Sequence, residues 1–161
     1  MIDYSKMEST QAPPEASSMI ETFRAIGYSL ETAIADLIDN SIAENSKNIW
    51  IDYNWNEPDT TLSVTDDGRG MSNTELIQAM KPGSINPLEQ RKEDDLGRFG
   101  LGLKTASFSQ CRKFSVITKT EETQVVYWSW DLDYVKASKS WSLIKYCPDK
   151  NIYETQIGRA H

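Results

Sequence analysis

Three short segments, in a fixed order along the chain, constrain its fold and chemistry more than its composition does. They are 36–41 (Asp-Leu-Ile-Asp-Asn-Ser), 66–71 (Asp-Asp-Gly-Arg-Gly-Met) and 97–104 (Gly-Arg-Phe-Gly-Leu-Gly-Leu-Lys). The first falls in a helical pattern, the second follows a strand pattern, and the third precedes another helical pattern. Each segment alone has a plain structural explanation, and the three become informative in combination.

The composition indicates one globular domain in a soluble protein. The chain has 161 residues, of which 39% are hydrophobic and 25% charged. A net charge of −7 makes it a poor stand-alone binder of nucleic acid, because such binding depends on neutralising phosphates. No apolar run is long enough to cross a bilayer, and residues 1–18 lack the apolar centre of a signal peptide. We therefore expect a cytoplasmic protein without membrane contact.

The sequence also argues against a structural zinc site. Cys111 and Cys147 are far apart, and the only histidine is His161. No metal-ligand spacing is present. Two reduced thiols fit a reducing compartment.

Apolar periodicity predicts an α+β fold, in which helices cover one face of a mostly antiparallel sheet as a two-layer sandwich. The predicted helices are at about 15–26, 29–44, 72–80 and 101–110. The predicted strands are at about 48–54, 60–66, 114–119, 124–131 and 141–146. The buried stripe of the second helix is expected to consist of Ile34, Leu37, Ile38 and Ile42.

We divide the chain into a flexible arm, one domain and a short tail. The arm covers 1–14, the domain covers 15–157, and 158–161 have the composition of an added or cut end. Residues 81–96 contain turn-forming residues and a charged run without apolar periodicity, which predicts either disorder or a functional lid.

The first segment combines a candidate metal ligand with a candidate base. Asp36 and Asn40 are four residues apart and therefore share a helix face. The Asn40 side-chain oxygen is a hard ligand that suits Mg²⁺, with phosphates and water completing the coordination shell. Asp36 could accept a proton from a water near the metal. The alternative is two exposed polar residues on an amphipathic helix.

The second segment offers a carboxylate at the end of a strand. Asp66 could accept a hydrogen bond from an exocyclic amine such as that of adenine. Gly68 and Gly70 permit tight turns and close approach of a ligand, and Met71 offers an apolar surface to a flat base. The alternative is an ordinary turn before a capped helix.

The third segment places glycines at 97, 100 and 102, directly before a helix. Backbone amides at a helix N-terminus bind anions, and glycine lets a phosphate approach them. Lys104 could add a positive charge. The spacing is not that of a Walker loop, and a flexible hinge is the alternative.

These residues, in this order and with a lid-like gap before the third segment, make 27–119 resemble the GHKL ATPase family. That family includes DNA gyrase B, the ninety-kilodalton heat-shock chaperone, sensor histidine kinases and MutL. The strings at 33–41 and 97–107 are most similar to the microrchidia (MORC) branch and its bacterial relatives. The resemblance implies the Bergerat fold, Mg²⁺ and ATP as ligands, ATP hydrolysis, and an ATP-dependent homodimer in the full-length protein.

The resemblance also implies a role for each segment. Asn40 corresponds to the Mg²⁺ ligand, Asp36 to the general base, and Asp66 to the reader of the adenine amine. The ATP lid corresponds to about 81–99, and its closure in relatives is coupled to dimerisation. The other implied ATP contacts are Gly68, Gly70, Met71, Gly83, Ser84, Phe99, Gly100, Leu101, Gly102, Leu103 and Lys104.

Three departures from the family pattern predict weak turnover. The general base in the family is usually glutamate. The Asp36 side chain is one methylene shorter, which is roughly 1.5 Å less reach. Misplacing a base by that distance can cost on the order of a hundredfold in rate. The Gly-Thr element that normally supports adenine is replaced by Gly158-Arg159, and no following transducer domain is found. We therefore expect a fragment that binds ATP and ADP better than it hydrolyses ATP.

Three alternative functions remain open. Asp36 motivates a nucleotide-binding switch without turnover. A histidine kinase catalytic domain would need a phosphoacceptor histidine in a partner. An interaction module without a ligand would require all three segments to be coincidences. The resemblance is also compatible with DNA association through regions beyond this chain.

Overall fold

A computed structural model describes residues 5, 7–25, 27–82 and 102–146 of the chain. The helices in these ranges are α1 (Ala16–Arg24), α2 (Leu30–Ala43), α3 (Asn73–Met80), α4 (Gly102–Gln110) and α5 (Leu132–Ser138). The strands are β1 (Ile49–Asn54), β2 (Thr61–Asp66), β3 (Lys113–Thr118) and β4 (Val126–Asp131). The predicted α+β class is confirmed. Most of the predicted lid and the tail at 158–161 lie outside the described residues.

The helices begin where polar side chains can cap them. The Ser29 hydroxyl accepts from the backbone N–H of Thr32 at 3.2 Å and so starts α2. At α3, Ser72 and Glu75 form the reciprocal capping box that the sequence predicts. The hydrogen bond from the Ser72 backbone N–H to Glu75, at 2.8 Å, is the main reason that the pKa of Glu75 falls to about 2.

The four strands pair as two antiparallel hairpins. In the first, Ile49 of β1 lies opposite Asp66 of β2; in the second, Lys113 of β3 lies opposite Asp131 of β4. Within the described ranges these hairpins form two separate two-stranded sheets. They meet through a side chain, since the backbone N–H of Met71 donates to the Thr118 hydroxyl at 2.9 Å. The end of β2 is thereby held beside the end of β3.

The predicted last strand, 141–146, is present only as a bridge between Ser129 and Ile144. Helix α5 was not predicted. It is a seven-residue helix that begins at Asp131, whose carboxylate accepts from the backbone N–H groups of Asp133 and Tyr134. An aspartate directly after a strand was the sequence signal for it.

The hydrophobic core lies between the second hairpin and helices α1, α3, α4 and α5. Its centre is Phe108, whose ring packs edge-on against Phe114 at 5.3 Å and Trp130 at 5.9 Å. The indole N–H of Trp130 donates to the backbone carbonyl of Met80 at 3.0 Å. The other buried members of this cluster are Ala16, Ile20, Phe23, Leu76, Leu132 and Val135.

Helix α2 and the first hairpin contribute little to that core. The predicted buried stripe of α2 is wrong in part: Ile42 is 50% exposed, while Ala33 and Ser41 are the buried residues of the helix. The reason is that α2 packs mainly against α4 and the β2 strand, and small side chains fit this contact. Ile51 and Tyr53 of β1 are likewise about half exposed.

No helix in the described ranges is both long enough and apolar enough to cross a membrane.

Candidate functional site

Helix α2 carries two of the predicted site residues one turn apart. Asp36 and Asn40 are both half-buried. The Asn40 side chain makes no hydrogen bond to any residue that the structure describes. Its carboxamide oxygen is therefore available to a ligand.

The Asp36 carboxylate lies near Tyr28, which precedes the N-cap of α2. Burial, and then the charge of the nearby Asp36, raise the pKa of Tyr28 above its ordinary value. The Tyr28 carbonyl accepts from the Gln110 side chain of α4 at 2.7 Å. The segment between α1 and α2 is thereby fastened to the end of α4.

The Asp66 carboxylate, at the end of β2, is held by three donors. Its Oδ2 accepts from the Ser41 hydroxyl at 3.0 Å, and its Oδ1 accepts from the Ser46 hydroxyl at 3.1 Å and the Gly68 backbone N–H at 2.9 Å. Ser41 directly follows Asn40 in α2. The structure therefore brings the first and second predicted segments together.

The two glycines after Asp66 are required by close packing. A Cβ on Gly68 would lie 2.8 Å from the Ser46 hydroxyl oxygen and 2.9 Å from Asp66 Oδ1. A Cβ on Gly70 would lie 1.7 Å from the carbonyl oxygen of Lys119, and Gly70 has a φ of +67°. Met71, the next residue, packs partly against the core cluster.

Two further residues of this turn, Arg69 and Asp67, make contacts that were not predicted from the sequence. The Arg69 guanidinium pairs with Glu44 at the end of α2 and with Glu75 in α3, the second at 3.0 Å. The Asp67 carboxylate accepts from the backbone N–H groups of Lys47 and Asn48, and its pKa is lowered mainly by the Asn48 N–H. Both side chains fasten the turn to the elements around it.

A groove of about 640 Å³ opens beside this turn. It is lined by Gly68 and by the Arg69 ion pairs, with further carboxylates from Asp67, Glu121 and Glu122. Neither Asp36 nor Asn40 lines it. Asp66 does not line it either, so the groove is separate from these three side chains.

The third segment is described only from Gly102 onward. Gly83, Ser84, Phe99, Gly100 and Leu101 lie outside the described residues. Gly102 is the first residue of α4, and Leu103 packs partly against the core. Helix α4 is the main helix against which α2, with Asp36 and Asn40, packs.

Lys104 is buried in this conformation. It is 3% exposed, and its Nζ donates to the Ala79 carbonyl of α3 at 2.9 Å. Burial lowers the pKa of Lys104 to about 8 from the ordinary value of 10.5. The predicted phosphate contact would therefore require this ammonium group to leave Ala79.

The burial of Lys104 predicts a pH dependence of stability. Between the folded pKa of about 8 and the unfolded value of 10.5, the unfolded chain binds more protons than the folded one, so stability rises with pH. Relative to Lys104→Met, the wild type should gain about 2 kcal/mol in unfolding free energy between about pH 7 and about pH 9.5. Urea unfolding of both proteins at both pH values measures this difference. Equal pH slopes would contradict it.

A metal at this site would depend on few protein ligands. Among the described residues, no group of three or more His, Cys, Asp or Glu side chains could hold a metal ion. Mg²⁺ commonly binds through one or two protein oxygens together with substrate phosphates and water. The free carboxamide of Asn40 fits that mode of binding.

Comparison with known proteins gives consistent matches. Residues 28–159 match the family described as histidine kinase-, DNA gyrase B- and HSP90-like ATPase. The chain is 30% identical to "ATPase morc-1" of Caenorhabditis elegans over 90 residues, which are 56% of this chain and 10% of that protein. It is 32% identical to "MORC family CW-type zinc finger protein 3" of Mus musculus over 97 residues, 59% of this chain and 10% of that protein. The matches thus span about a tenth of each of these relatives.

Proposed function

The chain belongs to the histidine kinase-, DNA gyrase B- and HSP90-like ATPase family, and on this premise we propose that it binds Mg²⁺ and ATP and hydrolyses ATP slowly. The hydrogen bond between Ser41 and Asp66 carries the proposal. It places the strand-end carboxylate beside the helical turn that holds Asn40. A base-recognition group and a metal ligand are thereby available to one nucleotide.

Each described residue has a distinct task in this proposal. Asp66 accepts from the exocyclic amine of adenine, and Asn40 offers its side-chain oxygen to Mg²⁺. When bound, Mg²⁺ would neutralise charge that develops on the phosphate oxygens. Asp36 accepts the proton of the attacking water.

The remaining parts of the proposal rest on similarity. The glycines at 100 and 102 would present backbone amides to the phosphates, and closure of a lid at about 81–99 would be coupled to homodimer formation. The name of the nematode relative includes the word ATPase, which supports turnover. Any association with DNA would involve regions beyond this chain.

A switch that binds ATP without hydrolysing it is the second candidate. The observation that favours it is Asp36 itself, since its side chain is one methylene shorter than the glutamate that is usual at this position in relatives. Steady-state phosphate release separates the two functions. Turnover above background supports the ATPase, and binding without turnover supports the switch.

Replacing Asn40 with alanine tests the proposed site. We expect Asn40→Ala to weaken the Mg²⁺-dependent part of binding about tenfold or more, because the free carboxamide oxygen is the proposed metal ligand. Calorimetry with a non-hydrolysable ATP analogue, with and without Mg²⁺, measures this. Binding without Mg²⁺ should change little.

Asn54→Ala provides the matched control. Asn54 is an exposed asparagine at the far end of the first hairpin, opposite Thr61, and its loss should leave binding unchanged. A wild-type protein that binds no nucleotide would refute the proposed function. Equal effects of the two substitutions would remove Asn40 from the metal site.

A further inference from the structure

We propose that Ser41 and Ser46 are positioning residues that fix the Asp66 carboxylate and thereby set the preference of the site for adenine. This inference rests on the proposed function. Neither serine is expected to touch the nucleotide. Both act through the carboxylate that does.

The hydrogen bonds to Asp66 leave one acceptor position open. A carboxylate oxygen accepts about two hydrogen bonds. Among the residues that the structure describes, Oδ1 receives two, from Ser46 and from the Gly68 backbone, while Oδ2 receives one, from Ser41. The remaining position on Oδ2 matches a single donor, such as one N–H of an exocyclic amine.

The charge on Asp66 favours this arrangement of the hydroxyl hydrogens. Each serine has one hydrogen and two acceptors within reach. The Ser41 hydroxyl lies 3.2 Å from the Leu37 carbonyl and 3.0 Å from Asp66 Oδ2. The Ser46 hydroxyl lies 2.7 Å from the Ser41 carbonyl and 3.1 Å from Asp66 Oδ1. Because hydrogen bonds to a carboxylate are the stronger ones, Ser41 donates to Asp66, its nearer acceptor, and Ser46 shares its hydrogen between the Ser41 carbonyl and Asp66.

Packing prevents the carboxylate from choosing another orientation. Ser41 is 5% exposed. A Cβ on Gly68 would meet the Ser46 hydroxyl, Asp66 Oδ1 and the Glu44 carbonyl oxygen, all within 3.0 Å. The two serines and the glycine therefore enclose Asp66 on three sides, and its open acceptor position has a fixed direction.

A fixed acceptor discriminates between bases by what they present at the same position. Adenine presents a donor amine there, while guanine and hypoxanthine present a carbonyl oxygen. Two acceptors facing each other leave the remaining acceptor position of this partly buried carboxylate unfilled, which is a strong basis for rejection. Without the serine hydroxyls, Asp66 could rotate or bind water, and this rejection would weaken.

The test compares ATP with purine riboside triphosphate, which carries hydrogen in place of the exocyclic amine. Calorimetry on the full chain should show that wild type loses about a hundredfold in affinity when the amine is absent. Ser46→Ala and Ser41→Ala should bind ATP about tenfold more weakly, yet bind the analogue nearly as wild type does. Ser46→Thr, which keeps the hydroxyl, should restore the wild-type ratio.

Controls separate positioning from a general effect on folding. Ser63→Ala changes a serine on the opposite face of β2 and should leave the ratio unchanged. Urea unfolding identifies any variant that has lost its fold, and Ser46, which is half-buried, is the safer of the two sites to substitute.

Equal weakening of the binding of both nucleotides by Ser46→Ala, or an unchanged ratio of the two affinities, would overturn the inference. A wild type that binds ATP and the analogue equally would overturn it as well, while the ATPase proposal would stand. A wild type that binds neither would refute the proposed function, and the inference with it.

Discussion

Gly70→Ala is expected to remove at least about 3 kcal/mol of folding stability. The new Cβ would lie 1.7 Å from the carbonyl oxygen of Lys119 and 2.7 Å from its carbonyl carbon. Because both are backbone atoms, no side-chain rotation relieves the overlap. The φ of +67° at Gly70 adds about 1–2 kcal/mol of strain for a residue with a Cβ. Urea unfolding followed by circular dichroism measures the loss.

Gly27→Ala provides a control with the same backbone conformation and open space. Gly27 has a φ of +79°, and the atom nearest to a Cβ added there is the Ala25 carbonyl oxygen at 4.0 Å. We expect a loss of about 1 kcal/mol there, from strain alone. If both substitutions cost the same, the close approach between the β2 turn and the end of β3 is not present in solution.

Asp36→Asn is expected to reduce ATP turnover at least about a hundredfold while leaving ATP affinity within about threefold. Asparagine keeps the size of the side chain, but it cannot accept the proton of the attacking water. A steady-state phosphate-release assay gives the rate, and calorimetry gives the affinity.

Two companion variants sharpen this experiment. Asp39→Asn alters an exposed aspartate of the same helix and should leave the rate unchanged. Asp36→Glu supplies the longer side chain that is usual at this position in relatives. It should raise the rate if the shorter reach of the aspartate carboxylate limits turnover. Wild-type rates in the Asp36→Asn protein would show that Asp36 is not the base.

Local signals in the sequence predicted the framework well. Ser29 and Ser72 cap their helices, and β1 and β2 form where strands were predicted at about 48–54 and 60–66. These features depend on neighbouring residues alone, so a single sequence carries them. The α+β class followed from their order.

Features that depend on distant contacts were not predictable in the same way. The isoleucines of α2 were expected to be buried, yet the face against α4 and β2 is formed by small residues such as Ala33 and Ser41. Ser46 reaches Asp66 across 20 residues of sequence, and no local pattern distinguishes it from any other loop serine. The burial of Lys104 depends on where the end of α3 lies. That position is a result of tertiary packing.

The ends of two central helices are completed by side chains from far along the chain. The last carbonyls of α3 accept from Lys104 and Trp130, and the Arg24 guanidinium donates to the carbonyls of Phe108 and Cys111 at the end of α4. The last carbonyls of either helix therefore gain these hydrogen bonds only when distant parts of the chain come together. We expect folding to be all-or-none, with a rate limited by contacts between distant residues. Cutting the chain between α3 and α4 should yield two unfolded pieces that acquire structure only when mixed.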